Sequence, residues 1–238
     1  MLQQFKLDWR LHKKSFFGVQ AILLGAFVFG VLLVLLIMNV DDDPGSWFCM
    51  GTLLAGVVLC FVSIIAYGFS YFQEFQLALS MGRGRLAFVG AYALRLALHL
   101  LIGYVILLGL YQIELTIYPV LFPQYSNEIE FTFLTNWRVF LPVLLGVFLL
   151  TLFIGSLYGR YGKKGMIFFY ILWIFCCFIL PRMVDADPTS TGALDVAALW
   201  TLRMIVAVPV TVWLTFGTVL AAVMLAVIIR FAQTQMVK

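Results

Sequence analysis

The chain has 238 residues, 64% of them hydrophobic and 11% charged, against about 45–50% apolar and about 25% charged in a soluble domain. A soluble fold of this size exposes too much surface to hide that excess, which excludes a water-soluble enzyme, a disordered chain and a coiled coil. The net charge of +4 is spread over short inter-helix segments rather than gathered in one patch, so no nucleic-acid partner is expected.

Residues 2–15 carry Leu2, Phe5 and Trp9 at helical spacing, with Lys6, Arg10, Lys13 and Lys14 interleaved. That pattern predicts an interfacial amphipathic helix over 1–15, with Trp9 as its headgroup anchor. A polar leader that merely fixes topology is the alternative. It would leave the aromatic residues without a role.

A helix needs about 20 residues to cross about 30 Å of hydrocarbon. Six windows reach or approach that length: Phe16–Met38, Cys49–Phe72, Leu86–Ile113, Val139–Tyr158, Met166–Leu180 and Ile205–Ile229. The first is too long for a removable signal peptide and lacks a small-residue cleavage site. The fifth is short, so tilting, extension past Pro181 and a re-entrant course stay open. The expected fold is all-α, one polytopic membrane domain over 1–238 with six transmembrane helices.

Between the first two spans lies Asp41-Asp42-Asp43-Pro44-Gly45, a turn in which proline and glycine stop the helix. Its carboxylates read as a solvated charge run, since no second ligand cluster is spaced to complete a cation site. Spans two and three are joined by a helical stretch with Phe72, Phe75 and Leu79 on one face, ended at Gly82, where a left-handed helix cap suits glycine. Arg83 and Arg85 follow, where positive charge favours a helix carbonyl end. This predicts a short amphipathic helix over 72–87, presented to the cytoplasm. It serves either as a lever for a soluble partner or as a simple turn of the chain.

Further along, Glu114–Trp137 and Arg182–Arg203 form the longer outer segments. Within the second, over 182–203, the apolar stretch Ala193–Leu202 is too short to cross and is expected to lie at the outer interface or dip into it. Small-residue pairs Gly51/Ala55, Gly155/Gly159 and Gly217/Ala221 fit close helix packing, within the chain or at a dimer seam.

Charge sets the orientation. Eleven basic residues fall in the N-terminal segment, the loop with Arg83 and Arg85, the loop with Arg160, Lys163 and Lys164, and the tail with Arg230 and Lys238. Only Arg138, Arg182 and Arg203 lie on the other side, together with nine of the eleven acids. By the positive-inside rule both termini are cytoplasmic.

Catalytic constellations are missing. His12 and His99 are the two histidines, too few for a histidine-rich metal site, and no metal is expected. Ser156 misses the Gly-x-Ser-x-Gly register because residue 154 is isoleucine. The segment Gly159–Gly165 lacks phosphate-loop spacing. Cys49, Cys60, Cys176 and Cys177 sit in or beside apolar spans and read as small hydrophobes. Arg95 and His99, one turn apart in span three, are the intramembrane polar candidates. Arg95 is expected to snorkel towards headgroups, and His99 to make a polar packing contact.

The run Ala78-Leu79-Ser80-Met81-Gly82-Arg83-Gly84-Arg85, after Glu74-Phe75 and before Phe88, resembles the first cytoplasmic loop of small bacterial type 2 permeases of ATP-binding cassette (ABC) exporters. In that group the loop commonly reads Ala-Leu-Ser, an apolar residue, Gly, two variable residues, then Arg and an aromatic stretch. Members often place a second polar residue after the arginine, where this chain has Leu86 and Ala87.

The resemblance implies a permease subunit of the plasma membrane that pairs with a second copy or paralogue and with cytoplasmic ABC ATPase subunits. Glu74, Phe75, Leu79, Ser80, Met81, Gly82, Arg83 and Arg85 would seat in the ATPase, and Phe5, Trp9 and Arg10 would belong to a connecting helix along the membrane lipid. This chain would bind no cofactor, with ATP and magnesium on the partner. The cargo would be hydrophobic or amphipathic: a peptide, an antibiotic or a lipid. An ion-coupled transporter or channel, and a scaffold that transports nothing, are the alternatives.

Overall fold

The computed structural model describes residues 2–40, 46–82, 84–123, 126–129, 132–164, 167, 170, 171, 174 and 210–234. The expected fifth span, the outer segment 182–203, Arg83, Cys176 and Cys177 lie wholly or largely outside them. The first helix, α1, runs unbroken over Leu2–Val40. No glycine or proline interrupts residues 2–17, so nothing in the chain ends a helix at residue 15. The expected division into a separate helix over 1–15 and a span is therefore corrected to one continuous helix.

A short strand, β1 (Ser46–Phe48), leads into α2 (Met50–Val62). A π-helical turn over Ser63–Tyr67 joins α2 to α3 (Gly68–Ser80). The reverse connection takes only the few residues before α4 (Arg85–Leu121). After it come β2 (Ser126–Ile129), the single turn α5 (Thr132–Thr135), and α6 (Trp137–Tyr161) with a 3-10 turn over Gly162–Lys164. The last described helix, α7, is Val210–Thr234. Strands β1 and β2 pair in parallel, a small addition to an otherwise helical fold.

Among the described residues five helical segments are long and apolar enough to cross a membrane: Phe16–Met38, Met50–Ser80, Arg85–Leu121, Trp137–Tyr161 and Thr215–Thr234. The spans of α2–α3, α4 and α6 run longer than hydropathy predicts, because the helices continue beyond the apolar windows; the start of the last expected window lies outside the described residues. The α3 helix stops as glycine chemistry requires. Gly82 takes φ +74°, and the Met81 and Gly82 amides donate to the Leu77 and Leu79 carbonyls at 3.1 and 2.9 Å.

The described connections fall at two ends of the helices. At one, the Arg85 guanidinium donates to the Gln233 carbonyl at 2.6 Å, and Arg160 donates to Thr234 Oγ1 at 3.1 Å. This loop end holds the α3–α4 turn and the C-termini of α6 and α7. At the other, the strand end, β1 and β2 meet. Helices α6 and α7 run parallel, so Tyr161 and Val210 lie at opposite ends.

Gly51 and Gly155, each from one of the small-residue pairs, serve intrachain packing. A methyl group on Gly30 of α1 would stand 2.6 Å from the Gly51 Cα and 2.8 Å from its amide nitrogen. One on Gly155 of α6 would stand 2.8 Å from Tyr71 Cβ and 3.1 Å from the Gly68 carbonyl oxygen. A methyl group on Gly217 would meet no described atom within 4 Å beyond its own stretch of helix. Because the Gly30 clash is backbone to backbone, Gly30→Ala is expected to cost about 1–3 kcal/mol, read as a lower melting temperature of the detergent-solubilised chain. An unchanged melting temperature would contradict the close α1–α2 crossing.

Candidate functional site

At the loop end an aromatic core joins α3 to α4. Tyr71 stacks on Phe75 at 6.0 Å, and Phe75 meets Phe88 edge-on at 5.4 Å. Phe75 is 2% exposed. The expectation that it faces a soluble partner is thus corrected: an apolar stripe at helical spacing satisfies a core as readily as a docking surface, and here α4 and α6 supply the core.

Glu74 is corrected with it. Its Oε2 accepts from Arg95 Nη2 at 2.5 Å, with the two side chains 15% and 2% exposed. Arg95 does not snorkel. Its guanidinium carbon sits 4.7 Å from the centre of the Tyr92 ring and 5.8 Å from that of Tyr67, where a cation over an aromatic face is stabilised. One helical face of α4 therefore meets the α3 carboxylate and the rings that flank it.

The same α4 face holds the π turn. The Tyr92 hydroxyl donates to the Tyr67 carbonyl and lies 3.0 Å from Ser70 Oγ, while Ser63 Oγ donates to the Leu59 carbonyl at 2.5 Å. A π turn displaces carbonyls from their regular partners, and side chains satisfy them here. One turn on from Arg95, fully buried His99 bonds through Nδ1 to Gln20 Nε2 of α1 at 3.0 Å, as a polar packing contact would. The Tyr67 ring lies 4.8 Å from the imidazole.

At the strand end, Glu114 is buried on α4 rather than placed in an outer loop. Its Oε1 accepts from the Gly51 amide at 3.0 Å and from Tyr118 Oη at 2.7 Å. Its Oε2 accepts from the Thr52 amide at 2.8 Å and Thr52 Oγ1 at 2.5 Å. The first amides of a helix have no intrahelical partner, and Cys49 at the α2 cap offers no side-chain bond. A carboxylate from a neighbouring helix takes that place. Hydropathy reading assigns both Glu74 and Glu114 to polar segments and misses this burial; the aromatic and hydroxyl residues spaced around them in sequence give no comparable signal.

The tip of the α3–α4 hairpin exposes part of the surface the sequence indicates and adds Leu77 and Leu86 to it. Leu77, Met81 and Leu86 are all more than half exposed, and Ser80 and Gly82 are exposed beside them. Leu79 is partly buried. Gly84, Arg85, Leu86, Ala87 and Gln233 line an open groove of about 420 Å³ between the start of α4 and the end of α7. Phe5, Trp9 and Arg10 lie on the first turns of α1, their side chains outside the described set.

Among the described residues no cluster of His, Cys, Asp or Glu is arranged to hold a metal ion. Cys49 and Cys60 are free thiols. Comparison with known protein families, with curated proteins and with solved structures yields no match.

Proposed function

We propose that the chain is the membrane-spanning permease subunit of an ATP-driven exporter of the ABC type 2 class, moving a hydrophobic or amphipathic substrate out of a bacterial cell. The observation that carries this reading is the tip of the α3–α4 hairpin. There the family-like run Ala78–Arg85 ends a membrane helix at Gly82, exposes Met81 next to the equally exposed Leu77, and is tied to α7 through Arg85 and Gln233.

A tip that is fixed to its own helices transmits a push instead of yielding to it. Displacement of α3 reaches α4 through Glu74 and Arg95, and reaches α6 through the Tyr71–Gly155 contact. The motor is a separate pair of ATPase subunits that bind ATP and magnesium, and a second permease copy completes the pathway. The basic loop end faces the cytoplasm. The opposite placement of Tyr161 and Val210 supports a sixth crossing between them. The α1 start, with Phe5, Trp9 and Arg10, is the segment that meets the headgroups.

The burial of Glu74 and Phe75 moves the docking contact to Leu77, Ser80, Met81, Gly82 and Arg85, with Arg83 beside them in sequence. Tagged full-length chain purified from its native membrane is expected to carry an ATPase, identified by mass spectrometry. Leu77→Asp with Met81→Asp is expected to reduce its recovery at least about tenfold, since a charge set into an apolar contact loses more than the 1.4 kcal/mol that tenfold requires. The melting temperature of this variant should not change, because both side chains face outward. Recovery of the chain with no ATPase counts against the proposal.

A second reading has an observation in its favour: buried ionisable residues within spans usually serve ion pathways, and Glu74, Arg95 and His99 are such residues. An ion-coupled carrier would move solute in liposomes under an ion gradient with no companion protein, and would fail with His99→Phe. A scaffold would show neither flux nor ATPase capture.

A further inference from the structure

Gln20 on α1 and His99 on α4 bond to each other at 3.0 Å, and both side chains are more than nine-tenths buried. Their remaining polar atoms, Gln20 Oε1 and His99 Nε2, meet no hydrogen-bond partner among the described residues. In hydrocarbon such groups are costly to leave unpaired, because no bulk water competes for them.

The two leftover atoms are complementary whichever way the amide lies. With Gln20 donating to Nδ1, a neutral imidazole carries its proton on Nε2, leaving one donor there and one acceptor at Oε1. With the amide turned, its oxygen accepts from Nδ1–H, leaving an acceptor at His99 and a donor at Gln20. Either arrangement offers one donor and one acceptor. The formal charges one turn away cancel, because Arg95 pairs with Glu74. Phe16 meets the imidazole edge-on at 5.7 Å and Tyr67 lies at 4.8 Å, so the surroundings are aromatic and apolar.

We propose that the Gln20–His99 pair at the α1–α4 seam binds a neutral group that both donates and accepts a hydrogen bond. Water is one source of such a group; the amide or hydroxyl of an amphipathic substrate is the other. The second source rests on the export reading, while the site itself does not.

The test uses full-length chain labelled with 15N-histidine in phosphatidylcholine nanodiscs, with no ATPase present. There are two histidines in the sequence, and His12→Asn assigns the resonances. Octanamide, which donates and accepts, is titrated against octanoate and octyltrimethylammonium, and magnetisation transfer from water to the His99 ring nitrogens is recorded in parallel. The expected result is a His99 shift with octanamide and none with the charged probes, lost in Gln20→Leu and in the nearly isosteric Gln20→Met, either of which keeps the reporter.

Water transfer without an octanamide shift also supports the site and assigns it to water. Absence of both, or equal shifts with the charged probes, overturns the proposal. Neither flux nor ATPase capture enters this readout, so it stands or falls separately from the export reading.

Discussion

Replacing Glu114 by alanine is expected to destabilise the chain more than any other single truncation at the strand end. The substitution strips an acceptor from four donors at once: the Gly51 and Thr52 amides, Thr52 Oγ1 and Tyr118 Oη. Each buried donor left unpaired costs about 1–3 kcal/mol, and the α2 amides have no other partner in their own helix. A total of about 4 kcal/mol would lower the melting temperature by about 8–16 °C in a chain of this size. Glu114→Gln retains one accepting oxygen and should lose about half as much. Thermal unfolding of the detergent-solubilised variants gives the answer; a Glu114→Ala protein that melts with the parent would show that α2 needs no support from α4.

The second large effect lies at the opposite end of α4. Arg95→Leu leaves the Glu74 carboxylate facing the Tyr67 and Tyr92 rings with its cation gone. Removing one member of a buried pair costs about 3–5 kcal/mol. Glu74→Leu removes the carboxylate from the more deeply buried guanidinium and should cost a similar amount. Replacing both should recover most of the loss, because an apolar pair of similar volume is often neutral or better. Stability of the parent, the two single variants and the double variant closes the cycle. Strict additivity would mean that the two side chains do not stabilise each other.

Those two carboxylates mark where sequence reading stops. The apolar windows find the described spans, since burial in lipid demands long runs of one character, but α3 and α4 run on to Ser80 and Leu121, well past the ends of those windows. Gly82 is legible because a left-handed helix cap favours glycine over other residues. The separation of loops onto two ends is legible because basic residues cluster in alternate loops. Glu74 and Glu114 are not, because hydropathy charges an acid the full cost of burial. Whether a donor waits on another helix is a tertiary fact that one segment does not carry.

The same limit explains Phe75. Its spacing from Phe72 and Leu79 defines a face but not what lies against it, and Phe88 of α4 turns out to pack on it. Leu77, on the opposite face, draws no notice as an isolated apolar residue, and Met81 beside it is marked by the family-like run rather than by its spacing. Arg95 combines both difficulties: its long stem permits snorkelling, and only the position of Glu74 across the hairpin decides against it.

The π turn at Ser63–Tyr67 fixes the length of the second crossing to the residue. In an α-helix each residue advances the face by about 100°, so losing one residue here would rotate everything from Gly68 to Ser80 by roughly that angle. Glu74 would swing away from Arg95, Tyr71 would leave the notch at Gly155, and the exposed tip would aim elsewhere. The upper and lower halves of this rod are thus held in phase by an irregularity, and insertions or deletions that a lipid-facing helix ordinarily absorbs would here uncouple one end of the bundle from the other.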